Sequence, residues 1–152
     1  MLPRQRKSPL PIDRCHLAHA IDVIGDKWSL LILRSVLFGV RRFDDFQTEL
    51  GIPRSVLSAR LKHLSQHGLL KPTPYRENGK RSRTEYLPTK AALALRPVLL
   101  ALTQWSDQHL APDTPPPLTL RDSRTGDTLR FGPLDKQGRR VEDIAIKVSV
   151  RA

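Results

Sequence analysis

The sequence is poor in several things at once, and each scarcity closes off a class of protein. It has one cysteine, Cys15, which excludes an internal disulfide and any multi-cysteine zinc site supplied by one chain. Phe, Trp and Tyr together make up 5% of 152 residues. No apolar run approaches the roughly 18 residues needed to span a bilayer. The basic, proline-rich start has no apolar stretch behind it, so a secretory signal is not expected. No phosphate-cradling glycine loop, G-x-S-x-G elbow or H-E-x-x-H pair is present, so the residues point away from an enzyme. Acidic residues are also few, at 15 against 26 Lys and Arg.

What is present is apolar enough to fold, at 39% hydrophobic and 27% charged. The expectation is a small, cytoplasmic, basic protein. Its net charge of +11 implies a polyanionic partner, with nucleic acid first and an anionic membrane surface second. The charge is concentrated. Arg54, Arg60, Lys62, Lys71, Arg76, Lys80, Arg81 and Arg83 face only Glu77, so residues 54–83 hold +7 of the total. The neighbouring segments 14–53 and 84–110 are each neutral. Such a block suits a surface that displaces counterions from phosphates.

Periodicity predicts the elements around that block. Asp13 is a candidate N-cap for a helix to Ile24, with Leu17, Ile21 and Ile24 on its core-facing stripe. A second, strongly apolar helix runs from Trp28 to Phe38, and a short third from Phe43 to Leu50 is stopped by Gly51. Residues 53–67 form a fourth, placing Leu57, Leu61 and Leu64 on one side. Ser55, Ser58, Ala59, Lys62, His63 and Gln66 fall on the other. Two strands, Leu69–Tyr75 and Arg83–Pro88, flank a loop whose Asn78-Gly79 is a hairpin turn signal. A long apolar helix from Thr89 to Leu110 follows, with Pro97 kinking it or marking its true start. A helix so apolar needs cover on more than one side, most easily from another subunit. Beyond the prolines at 112 and 115–117, alternation predicts three short strands, the last through Ile144, Ile146, Val148 and Val150.

The expected fold is therefore mainly α with small β: a winged helix-turn-helix domain plus a short C-terminal β appendage. The expected organisation is a basic arm over 1–12, the DNA-binding and dimerisation domain over 13–110, a linker over 111–117 and the appendage over 118–152. Two helices joined tightly and followed by a basic hairpin suit the reading of a DNA duplex. The base-edge candidates are Arg54, Ser55, Ser58 and Lys62, with His63 also outward. The phosphate candidates are Arg42, Arg60 and the wing residues Lys80, Arg81 and Arg83, although Arg60 lies off the outer face and suits an internal carboxylate equally. Trp28, Phe43 and Phe46 are assigned to the core. His16/His19 and His63/His67 have helical ligand spacing, but each pair lacks a third ligand, so neither a metal nor a cofactor is assigned. The rival readings are a basic RNA-binding protein, which would show more aromatics on its strands, and a module that grips an acidic protein partner.

The order of residues from Cys15 to His109 resembles the HxlR-type family of bacterial transcriptional regulators, a MarR-like branch of the winged helices. The carriers are Cys15, then Ala20-Ile21-Asp22-Val23-Ile24-Gly25-Asp26-Lys27-Trp28, Leu30 to Arg34, Phe38-Gly39, Arg41-Arg42-Phe43 and Phe46. They continue with Val56-Leu57-Ser58-Ala59-Arg60-Leu61, Leu64, Gly68-Leu69-Leu70, Glu85-Tyr86-Leu87, Thr89 and Pro97-Val98-Leu99. The resemblance implies a homodimer built from the first and last helices, most often a repressor, on a pseudo-palindromic operator in double-stranded DNA. Cys15 matches the place where several such proteins sense quinones, aldehydes or oxidants. It lies beside Arg14 and His16 at a helix start, a setting in which thiols are commonly reactive. The wing, residues 76–83, is longer and more basic than the family pattern, and the residues after Pro112 lie outside it.

Overall fold

Why the chain turns where it does is clearest at its caps. The computed structural model describes residues 8–142 together with Ile146 and Ser149. A 3-10 turn, Ile12–Arg14, precedes α1, His16–Ile24, whose N-cap is Cys15 and not Asp13. Asp26 caps α2, Lys27–Leu37, its carboxylate accepting from the N–H groups of Trp28 (3.1 Å) and Ser29 (3.0 Å). Then come α3, Phe43–Leu50, and α4, Arg54–Gln66. Gly51 ends α3 with φ +62°, a left-handed conformation that a side chain would oppose.

One hydrophobic core organises the residues up to Ala94. Ile32, Leu33 and Val36 of α2 meet Phe46 of α3 and Leu57, Leu61 and Leu64 of α4, each with no more than 1% of its surface exposed. Ile52, in the turn between α3 and α4, is equally buried and plugs the same core. At about 1.5–3 kcal/mol for each fully buried large apolar side chain, these leucines hold α4 in one rotational setting.

Two strands follow, β1, Leu70–Tyr75, and β2, Arg83–Pro88, antiparallel in a register that runs from Leu70 opposite Pro88 to Tyr75 opposite Arg83. Arg42 forms a further antiparallel bridge with Glu85, and the Tyr86 N–H donates to the Arg41 carbonyl at 2.8 Å. This leaves β1 on the outside, where Pro72 and Pro74 deprive a foreign strand of donors. Thr89 caps α5, Lys90–Leu93, through a bond from the Ala92 N–H (3.3 Å) to its hydroxyl.

The predicted long helix is two. The chain divides into units between Ala94 and Leu95, and the second begins with α6, Arg96–His109, whose first turn holds Pro97. Proline lacks the N–H that a continuous helix would need there. After α6 the expected strands reduce, among the described residues, to single bridges, Arg121 with Thr128 and Leu134 with Arg140. Each bridge closes a loop built on an aspartate. Asp122 accepts from the Arg124 N–H, and Asp135 accepts from the N–H groups of Gln137 and Arg139. These local bonds compete with a ladder and win over so short a span. Gln104 of α6 fastens the appendage, exchanging two hydrogen bonds with the Phe131 backbone at 2.9 and 3.0 Å. The last predicted strand falls mostly on residues outside those described.

Two core assignments change. Leu17 and Ile21 of α1 do not face the core but are 68% and 55% exposed, because α2, α3 and α4 already close it. Trp28 and Phe43 are half-buried, each beneath a cation, Lys27 and Arg54 respectively, whereas Phe46 is fully enclosed.

Candidate nucleic-acid interface

The outer side of α4 follows directly from the burial of its leucines. With Leu57, Leu61 and Leu64 turned inward, helical geometry points Ser55, Ser58, Ala59, Lys62 and Gln66 outward, and all five are exposed. Lys62 has no ion-pair partner among the described residues. Small side chains before a lysine leave the backbone open to close approach by another body.

His63, expected on that surface, turns away, and Arg60 takes one of the two roles expected of it. His63 Nε2 meets the Val23 carbonyl at 3.0 Å, so the ring ties α4 to α1. Arg60 reaches Asp26 at 3.3 Å, choosing the internal carboxylate. Asp26 thereby caps α2 and anchors α4 together. Burial alone would raise its carboxyl, but hydrogen bonding with Ser29, then the Arg60 charge and the Trp28 N–H, hold it below the usual carboxylate range.

Two similar clusters form at the rim, Arg54 with Arg83 on Asp44 and Arg42 with Lys80 on Glu77. Arg54 lies over the Phe43 ring, 4.8 Å from its centroid, and donates to Gln47 Oε1 at 2.8 Å and Asp44 Oδ1 at 3.5 Å. Arg42 lies over Tyr75 at 4.5 Å and donates to Glu77 at 2.8 Å. Lys80 joins Glu77 at 2.7 Å, and Arg83 reaches Asp44 at 3.5 Å. The hydrogen bond and charge of Lys80, followed by those of Arg42, hold the Glu77 carboxyl below its usual range. Arg81 has no such partner among the described residues. Arg42, Arg54, Arg81 and Arg83 together line a basin of about 490 Å³ between the starts of α3 and α4 and the loop joining β1 to β2.

Sequence reasoning missed the acids. Asp44 and Glu77 were legible only as a helix-start charge and a lone opposing charge, and neither partner set follows from spacing. Among the described residues, no three His, Cys, Asp or Glu side chains gather to hold a metal. No helix described is long and apolar enough to cross a membrane.

The order α2, α3, turn, α4 and hairpin, with α4's polar side outward, is a winged helix-turn-helix. The model of the HxlR-like helix-turn-helix family matches residues 23–114. The chain belongs to that family. It is thus a helix-turn-helix transcriptional regulator. It is 40% identical over 111 residues to Rv3095 of Mycobacterium tuberculosis, an uncharacterised HTH-type transcriptional regulator, covering 73% of this chain and 69% of that protein. Among solved structures it is similar to PA1607, a candidate transcription factor, at 34% identity and a TM-score of 0.76, over 89% of this chain and 94% of that one. PA1374 of Pseudomonas aeruginosa, likewise a candidate transcription factor, is 33% identical with a TM-score of 0.63, over 90% and 92%. Coverage of 89% amounts to about 135 of 152 residues, so the likeness passes residue 114 and enters the appendage.

Proposed function

We propose that this HxlR-like regulator binds a pseudo-palindromic operator as a homodimer and represses transcription by occupying it. The observation that carries the reading is the outward stripe Ser55, Ser58 and Lys62, without an ion pair among the described residues and set opposite three fully buried leucines. That stripe and Arg54 face base edges in the major groove. Arg42, Lys80, Arg81 and Arg83 approach backbone phosphates, and α4 adds to them because no side chain caps its first N–H groups. Arg60 is withdrawn to Asp26 and takes no part.

The homodimer is supported by apolar side chains left uncovered on the first and last helices. Leu17 and Ile21 of α1 and Val98, Leu102 and Trp105 of α6 are each about half exposed or more. Water-facing residues of this kind, recurring every three or four positions, suit a helical interface. Cys15 is the candidate sensor of oxidants or electrophiles. It stands half-buried at the N-cap of α1, inside the proposed interface, where an adduct would disturb the pairing of subunits.

The test of DNA recognition is selection of bound duplexes from a random pool, followed by titration of the winner and of random duplex at several salt concentrations. A regulator of this kind prefers its selected site by about 10³-fold or more. Equal binding to every duplex, RNA and acidic polymer would overturn the reading. For Cys15, diamide or quinone treatment is followed by mass spectrometry and operator binding; an unmodified thiol with unchanged affinity removes the sensing role.

A further inference from the structure

Arg54 and Arg83 come from different elements, the start of α4 and the start of β2, yet both end on the same carboxylate. Asp44 Oδ1 takes Arg54 and Oδ2 takes Arg83, each at 3.5 Å. Its neighbour Asp45 occupies the same first turn of α3 and is also exposed, but makes no ion pair among the described residues. The two acids therefore interact alike with the helix dipole and differ in what else they touch. Exposed pairs at this distance contribute little to stability, so folding alone does not account for the arrangement.

We infer that Asp44 is a specificity-determining positioning residue, which holds Arg54 and Arg83 in fixed directions and withholds both from indiscriminate contact with phosphate. Arg54 is already confined by the Phe43 face and Gln47, leaving Asp44 to settle where its remaining donors point. A duplex that presents the right base edge to Arg54 is bound without breaking that set. Any other duplex must draw the arginines off a carboxylate that stays behind, beside the incoming phosphate, and repels it. Discrimination is thus achieved by penalising the wrong sequence as much as by favouring the right one. This rests on the DNA-binding reading above.

The test measures affinity of the full chain for its selected duplex and for random duplex across a salt series, in wild type, Asp44→Asn and Asp45→Asn. Thermal unfolding confirms that each variant is folded, and Asp44→Ser repeats the measurement with a residue favoured at helix starts. The inference expects Asp44→Asn to bind random duplex more tightly, with a log–log salt slope steeper by about one to two, since each phosphate gained adds about 0.9. The ratio of selected to random affinity falls about tenfold, the scale of one lost discriminating contact. Asp45→Asn keeps both the wild-type slope and the wild-type ratio. An unchanged slope and ratio in Asp44→Asn and Asp44→Ser, with a discriminating wild type, would overturn the inference alone. So would the same shift in Asp45→Asn, which would reduce the effect to net charge. A wild type that selects no duplex would remove the DNA reading and this inference with it.

Discussion

Asp26 shows how much can depend on one short side chain. It satisfies two N–H groups at the start of α2 and meets Arg60 of α4, so it joins local capping to tertiary packing. Asp26→Ala is expected to destabilise the protein by about 1–2 kcal/mol at neutral pH, the usual cost of losing a good N-cap. The pH dependence follows from the depressed carboxyl. A group that binds its proton less tightly when folded contributes fully above its unfolded value, and loses that contribution as pH falls through the folded one. Urea titrations should therefore show the gap between wild type and Asp26→Ala closing in acid. A gap that is constant down through the carboxylate range would show that packing, and not the ionised cap, is what the substitution removes.

At the scale of elements, α4 and the wing hold cations of two kinds. Lys62 stands on the outward stripe and Arg81 in the wing loop, and among the described residues neither is held by an acid. They should fail differently. Lys62→Ala is expected to weaken the selected site by about tenfold or more while sparing random duplex, as loss of a base contact does. Arg81→Ala is expected to weaken both alike and flatten the salt slope by about 0.9. Fluorescence anisotropy at several salt concentrations separates the two, and the reverse pattern would exchange their roles. The elements themselves were largely readable. The leucine spacing of 57, 61 and 64 located α4 and its rotation, and Asn78-Gly79 located the hairpin. His63 was not readable, because 100° per residue places it near the outer face while only the position of α1 supplies the Val23 carbonyl that turns it inward. The break between α5 and α6 was half legible: Pro97 marked a discontinuity, but a kink and a fresh start have the same sequence signature.

For the whole molecule, the apolar residues left in water are the informative feature. Leu17 and Ile21 were expected inside, and their exposure reflects a core already filled by three other helices. If α1 and α6 pair with a second copy, Leu102→Glu places a charge in that interface. Light scattering during gel filtration should show wild type at the mass of two chains and Leu102→Glu shifted toward one, with operator affinity falling in parallel because two half-sites need two subunits. A wild type that runs as a single chain would end the homodimer proposal. Residues 14–53 and 84–110 carry no net charge while 54–83 carry +7, so the proposed association and the proposed DNA binding would draw on different surfaces of one small chain.

From the amino-acid order alone came the helix-turn-helix, the hairpin, the family and the location of the positive charge, because each is a local or periodic property carried along the chain. Which cations are free and which are held was decided only by tertiary structure. Asp44, Glu77 and Asp26 lie 10 to 39 positions from the arginines that reach them from other elements. A pairing of that kind depends on where the hydrophobic core has placed whole helices, and no spacing rule along the chain encodes it.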